Sequence, residues 1–155
     1  MNDIKYSIII PHHNTPDLLN RCIESIPIRR DVEVIIVDDN SDEDKQPLVN
    51  KANVRVVYIP SENSKGAGHA RNVGIDNAHG TWLMFSDADD YYVNNIFDII
   101  DNKLEDDIDV LYYDIFGKDK RAIKYQEYFA TYLKTGDDTH VRFHLWTPWN
   151  KVISH

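Results

Sequence analysis

Asp87, Asp89 and Asp90 crowd three carboxylates into four residues, directly after the apolar run Trp82-Leu83-Met84-Phe85-Ser86, and no basic residue stands beside them. Like charges this close raise one another's pKa or take a cation between them, and hard divalent ions such as Mg²⁺ and Mn²⁺ prefer oxygen ligands. A strand that runs into such a cluster reads as a metal platform at a strand's carboxyl end, where open α/β sheets bind their ligands. The same acids would also make a turn that caps the next helix, since Asp is favoured at N-caps and near the positive helix end. A short Asp-x-Asp does not choose between the two.

Other stretches carry chemistry of the same kind. Val32 to Val37 is a continuous apolar run that ends abruptly in Asp38-Asp39-Asn40-Ser41, a second acidic strand end. A glycine-containing loop, Asn63-Ser64-Lys65-Gly66-Ala67-Gly68-His69, feeds Ala70-Arg71-Asn72-Val73-Gly74-Ile75. His12 and His13 are adjacent, and neighbouring side chains of an extended segment point to opposite faces, so they are not expected to share one ion. Cys22 is the single cysteine, which excludes an internal disulfide and fits a reducing compartment, and it reads as a small buried hydrophobe on a helix.

The elements that must position these residues follow from the hydrophobic pattern. Tyr6 to Ile10 is a β-branched run stopped by Pro11, which suits a strand buried on both faces. Thr15-Pro16-Asp17 has the form of a helix start with a capping hydroxyl, and Leu18, Leu19, Cys22, Ile23 and Ile26 mark one helical face, ended by Pro27. Val32 to Val37, Val54 to Ile59 and Thr81 to Phe85 are expected as further strands of the buried kind. Ala70 to Ile75 reads as a helix that stops at His79-Gly80, and Tyr91 to Leu104 carries Val93, Ile96, Phe97, Ile100 and Leu104 at helical spacing. Strand character resumes from Asp109 to Phe116. Alternating strands and helices build a mostly parallel α/β sheet with its loops gathered along one edge.

Beyond Gly117 the pattern changes. Tyr125 to Lys134 is expected as an amphipathic helix with Tyr128, Phe129, Tyr132 and Leu133 inward and Gly136 at its end, and the tail from Val141 to His155 is aromatic and basic. Residues 1–117 therefore read as a ligand-binding α/β core, and 118–155 as the start of a further region that continues past this chain.

Composition narrows the partners. The chain has 155 residues, 42% hydrophobic and 28% charged, enough for one globular domain with a real core. A net charge of −9 argues against a nucleic-acid or anionic-membrane surface, because either needs a basic face to neutralise phosphates. No apolar run is long enough to span a bilayer and no signal peptide opens the chain, so a cytoplasmic placement is expected, compatible with a peripheral seat on a membrane's inner face.

Two familiar nucleotide loops are absent. Gly66-Ala67-Gly68-His69-Ala70-Arg71 mimics a dinucleotide fingerprint, but Arg71 holds the third glycine position and the loop follows the third strand, not the first. No Gly-x4-Gly-Lys-Ser/Thr cradle exists. Two readings remain open on the residues alone. One is a receiver-type phospho-acceptor domain, with Asp38-Asp39 and Asp87 holding Mg²⁺. The other is a sugar-nucleotide transferase, in which a strand-end carboxylate accepts a base N–H and an Asp-x-Asp holds the metal on the diphosphate.

At this point the ordered motifs resemble those of family-2 glycosyltransferases with the GT-A fold. They are Ser7-Ile8-Ile9-Ile10-Pro11 with Asn14, Val34 to Ser41, Asn63 with Gly66, Ala70 to Ile75, Gly80, and Phe85 to Asp90. Trp149-Asn150-Lys151 is similar to a Trp-Asn-Lys element found downstream in many members. His12-His13 departs from the family's usual small or aromatic pair. The resemblance implies a GT-A-type Rossmann-like sandwich, a mostly parallel central sheet with helices on both faces. It further implies that Pro11, Asn14, Asp39, Gly66, Arg71 and Asp87 bind the donor, with Asp39 on the nucleobase, Arg71 in support and Asp87 on the ribose. Asp89 would ligate Mn²⁺ or Mg²⁺. The implied reaction is inverting transfer from a nucleotide-sugar donor, with UDP expected, to a saccharide or lipid-linked acceptor. Its general base is expected well beyond the metal motif, in an acidic motif downstream of Trp149-Asn150-Lys151 that this chain is expected to lack, so the catalytic residue stays unassigned.

Overall fold

The computed structural model describes residues 4–105, 107–113, 117, 120–139 and 151–155. Its elements run β1 (Tyr6–His12), α1 (Pro16–Ser25), β2 (Val32–Asp39), β3 (Val54–Ile59), α2 (Ala67–Asp76), β4 (Trp82–Phe85), α3 (Ile96–Asp101), β5 (Val110–Tyr112), α4 (Lys120–Thr135) and β6 (Lys151–Ser154). They build a six-stranded sheet in the order β3-β2-β1-β4-β6-β5. The first four strands of that order pair in parallel, and β6 runs antiparallel to both β4 and β5.

Beyond Ser7 and Glu33 near their starts, β1 and β2 carry continuous apolar runs because the sheet is covered on both faces, and successive side chains serve opposite faces. Ile8, Ile10, Val34, Ile36 and Met84 pack on one side with Leu19 and Cys22 of α1 and Phe97 and Ile100 of α3. Ile9, Ile35, Val37, Leu83 and Phe85 pack on the other with Ala70 of α2. At roughly 1.5–3 kcal/mol for each fully buried aliphatic side chain, β1 and β2 are the principal apolar investment of the fold.

Register decides what meets at the edge. Pro11 lies opposite Val37, His12 opposite Asp38 and Ile9 opposite Phe85. The parallel strands therefore deliver His12 to Asn14, Asp38 to Ser41 and Ser86 to Asp90 to the same carboxyl edge.

Several expectations meet a different local solution. β3 is not a buried strand of the β1 kind: among the described residues only β2 neighbours it, most of its residues are half-buried and Tyr58 is exposed. Thr15 precedes α1 without a side-chain capping bond, and its backbone N–H donates instead to His12 Nε2 at 3.2 Å. Leu18 faces outward, so the buried face of α1 is Leu19, Cys22 and Ile23. The helix anticipated from Tyr91 to Leu104 is confined to α3, because the preceding segment is held back against α1 and leaves Val93 exposed. α2 begins three residues earlier than the motif suggests, at Ala67. α4 starts at Lys120, and its Tyr132 and Leu133 are exposed rather than inward, Leu133 at 77%. Gly136, with φ +72°, follows as expected of a helix stop.

β5 covers only part of the strand expected from Asp109 to Phe116, whose last residues, 114–116, lie outside the described ones, as do Arg142, Phe143, Trp146 and Trp149. The tail supplies a strand that the sequence reading did not anticipate, since Lys151–Ser154 enters the sheet between β4 and β5.

Candidate functional site

The carboxyl edge is built from the loops after β1, β2 and β4 and from the start of α2. Its foundation is a buried crosslink between the first two. Asp38 and His12 are both buried, and His12 Nδ1–H donates to Asp38 Oδ1 at 2.7 Å, the tautomer fixed by the Thr15 N–H that donates to Nε2. Ser41 donates to the same carboxylate from its hydroxyl at 2.5 Å and from its backbone N–H at 3.2 Å. Asn14, at φ 57°, donates its N–H to Ser41 Oγ at 2.9 Å and accepts the Asp42 N–H on Oδ1 at 2.8 Å. Asp38 is thus consumed in holding the loops together, and so are both polar groups of Asn14 that face the β2 loop. Pro11 ends the apolar part of β1 beside Val37, half-buried.

Asp39 behaves differently from its neighbour. It is only 5% exposed; Oδ2 accepts the Gly66 N–H at 2.7 Å, while Oδ1 is buried with no partner among the described residues. A buried acceptor without a donor costs roughly 1–3 kcal/mol, so this oxygen is open to a donor brought by water or a ligand. Gly66 makes the contact possible: it sits at φ +84°, a conformation open to glycine, with no atom near where a Cβ would project. His13 is exposed, and its ring Nδ1 bonds the Asp39 backbone carbonyl at 2.9 Å, which places an imidazole beside the same acid.

Arg71, on α2, reaches Asp87 and bonds Oδ1 through Nη2, while its Nε is buried without a partner among the described residues. The carboxylates of Asp87, Asp89 and Asp90 each offer an oxygen within 4.8 Å of the others. Asp90 is pushed up to about 6 by loss of water around its carboxyl and by the charges of Asp89 and Asp87, partly offset by Arg21. As a residue it remains exposed, so the like charges are the cause that the geometry carries. An all-carboxylate donor set that repels itself, with the Arg71 guanidinium on Asp87 and that of Arg21 on the Asp89 carbonyl, fits a hard divalent ion, which Asp89, with Asp87 and Asp90 at hand, would hold.

The structure therefore brings Asp39 to Gly66 and Arg71 to Asp87, and gathers Asp87, Asp89 and Asp90. Two participants escaped the sequence reading. His12 carries no motif that separates a buried crosslink from a free imidazole. Arg21 bonds the Asp89 backbone carbonyl and lies 5.6 Å from the centre of the Tyr91 ring, a contact across 68 positions that no local pattern announces.

Comparison with known proteins finds glycosyltransferases. Poly(ribitol-phosphate) beta-glucosyltransferase of Bacillus spizizenii is 35% identical over 96 residues, covering 57% of this chain and 15% of that protein. The Escherichia coli UDP-Glc:alpha-D-GlcNAc-diphosphoundecaprenol beta-1,3-glucosyltransferase WfaP is 37% identical over 90 residues, 56% of this chain and 36% of its own. S. aureus TarS 1-349 in complex with UDP-GlcNAc superposes with TM-score 0.64 and 29% identity over 75% of this chain and 36% of that one, and its GT-A-like fold is the fold seen here. The chain spans less than half the length of these relatives. The model of "Glycosyl transferase family 2" matches residues 7–147, and nothing in these comparisons supports a receiver domain. With that match running through most of its length, around an edge where Asp39, Arg71 and the Asp87–Asp90 acids converge, the chain belongs to glycosyl transferase family 2.

Proposed function

We propose that the carboxyl edge of the sheet binds a UDP-sugar together with a divalent cation, and that the protein to which this chain belongs transfers the sugar with inversion to a saccharide or lipid-linked hydroxyl. The observation that carries the reading is the unpartnered, buried Oδ1 of Asp39 on the same edge as the Asp87, Asp89 and Asp90 carboxylates. A uracil N–H supplies the donor that this oxygen lacks. Pro11 and Gly66 flank the base, Arg71 and Asp87 hold the ribose side, and Asn14 keeps the two loops in register. TarS, a structural neighbour, has been solved with UDP and with UDP-GlcNAc, which supports UDP as the nucleotide.

In this scheme the acceptor oxygen attacks the anomeric carbon as the bond to the diphosphate breaks, and the bonding pair leaves on the diphosphate oxygen. The cation, Mn²⁺ or Mg²⁺ on Asp89, supplies Lewis-acid neutralisation of that leaving group when bound. The acceptor proton passes to a carboxylate base within hydrogen-bond reach, which this reading places downstream of Trp149-Asn150-Lys151 and outside these 155 residues. The cytoplasm is the proposed compartment, and none of the described helices is long and apolar enough to cross a membrane.

Titration calorimetry with UDP, in Mn²⁺ and in EDTA, tests the reading. Binding that strengthens with Mn²⁺ is expected. Equal affinity in EDTA removes the cation from the scheme, and absence of UDP binding in both removes the scheme itself.

A further inference from the structure

The segment from Ser86 to Tyr92 bears the acids but has no helix or strand of its own. β1 fixes its start through the Ser86 N–H on the Ile9 carbonyl, α2 reaches it through Arg71 on Asp87, and one face of α1 holds it along its length. Cys22 Sγ and Ser86 Oγ are 3.4 Å apart just before the acids, and Ser25 Oγ accepts the Tyr92 N–H at 2.9 Å just after them. Ser25 is itself oriented by donating to the Cys22 carbonyl at 2.6 Å. Between these two ties Arg21 donates to the Asp89 carbonyl, and its guanidinium lies over the Tyr91 ring. Arg21 and Ser25 are i and i+4 on the helix, so the contacts share one face.

We propose that Arg21 is a positioning residue for the acidic loop, holding the Asp89 backbone so that its carboxylate faces Asp87 and Asp90 and the site can take up a divalent cation. The inference rests on the metal reading of the proposed function. The side chain touches neither the nucleotide nor the reacting atoms; it acts through the Asp89 carbonyl and the Tyr91 ring. Arginine suits the task because its planar fork donates in one direction while its face stacks on an aromatic ring. A loop that carries like charges resists closing on itself, and outer contacts that orient a metal ligand are commonly worth about 10–100-fold in metal affinity.

The test uses Mn²⁺ alone as probe, with free Mn²⁺ followed by electron paramagnetic resonance, on the wild type, Arg21→Ala and Arg21→Lys. Arg21→Ala is expected to bind Mn²⁺ about 10–100-fold more weakly. Its thermal midpoint should stay unchanged, since Arg21 lies exposed at the helix surface. Arg21→Lys, which keeps a donor for the Asp89 carbonyl but loses the stacked fork, is expected to fall between the two. Hydrogen exchange in metal-free protein should be faster at the Asp90, Tyr91 and Tyr92 amides of Arg21→Ala, and elsewhere the same. If the wild type takes up Mn²⁺ and Arg21→Ala takes it up equally well, the inference is overturned and the proposed function stands. If the wild type takes up none, the metal reading falls and this inference falls with it.

Discussion

The two ends of the central sheet treat their acids in opposite ways. At the amino end Asp31 receives a two-pronged contact from Arg29, at 2.9 and 2.6 Å. Asp101 receives Lys5 at 2.5 Å, Tyr6 at 2.6 Å and a second nitrogen of Arg29 at 3.0 Å. Arg29 also lies 4.8 Å from the centre of the Phe97 ring. Glu33 accepts the Ser7 hydroxyl and the His79 N–H, both at 2.6 Å, and Ser7 in turn accepts the Gly80 N–H at 2.8 Å. Gly80 is packed so closely that a Cβ there would meet Ser7 N at 2.6 Å. At the carboxyl end, by contrast, Asp87, Asp89 and Asp90 face one another, and Asp39 Oδ1 and Arg71 Nε lack partners among the described residues. The amino end commits its acids to holding the fold, although Asn53 Oδ1 there has no partner among the described residues; the carboxyl end commits Asp38 in the same way but leaves Asp39 Oδ1 open, and an open buried group is what a ligand can satisfy.

The largest expected effect separates the two ends outright. Asp89→Ala should weaken UDP binding in Mn²⁺ by about 100-fold or more, since it removes a ligand rather than an outer contact. Its thermal midpoint in metal-free buffer should be equal or slightly higher, because one of the mutually repelling charges is gone. A variant that loses stability instead would make the cluster part of the scaffold and erase the contrast.

Arg29→Ala addresses the opposite end. It leaves Asp31 and Asp101 short of their shared cation and uncovers Phe97, a loss of about 2 kcal/mol for a partly buried, doubly paired guanidinium. Denaturant unfolding should show it, while UDP affinity of the folded protein stays at the wild-type value. Coupled loss of both would mean the ends are not independent.

The same division explains what could be read from the sequence. β1 and β2 were legible because β-branched runs buried on both faces have one structural outcome, and Pro11 and Asp38-Asp39 mark where they stop. The acids at strand ends were legible because a parallel sheet gathers carboxyl ends on one side. What stayed hidden depends on distant partners. Val54–Ile59 is as apolar as β2, yet it lies at the sheet's edge because no strand among the described residues pairs beyond it. Val93 keeps helical spacing with Ile96 and Phe97 but remains outside α3 while α1 holds the preceding residues. Lys151–Ser154 becomes an interior strand only by pairing with Trp82–Met84, some 70 positions away. Asp38 and Asp39 look alike in sequence; only His12 and Ser41 on one, and Gly66 on the other, tell the crosslink from the open acceptor.

Asp39→Asn sharpens that last distinction at a smaller scale. An amide can keep the Gly66 N–H on its oxygen, but it turns the free position into an NH₂ that repels a base N–H. UDP affinity should fall about 10-fold, equivalent to one ordinary hydrogen bond, with stability unchanged or slightly raised. Calorimetry on the variant checks it, and undiminished affinity would move the nucleobase away from Asp39.

The smallest effect is a pH dependence that belongs to the amino end. Arg29 holds the Asp31 carboxyl below the usual range. At Asp101 burial pushes upward, and the hydrogen bonds from Lys5, Tyr6 and Arg29 together outweigh it, so this acid too is lowered. An acid whose folded pKa lies below its unfolded value binds fewer protons when folded, so its stabilising share is complete above the unfolded value, about 4, and drains away as pH falls below it. Thermal midpoints should therefore hold from neutrality down to about pH 4 on account of these groups and decline below it. Asp101→Asn cannot titrate, so it should start lower at pH 6 and decline less steeply below pH 4, its curve converging on the wild type as the acid side is reached. Parallel curves for the two proteins would mean that Asp101 is solvated like an ordinary surface acid and that the amino end owes its order to Phe97, Tyr6 and the apolar packing alone.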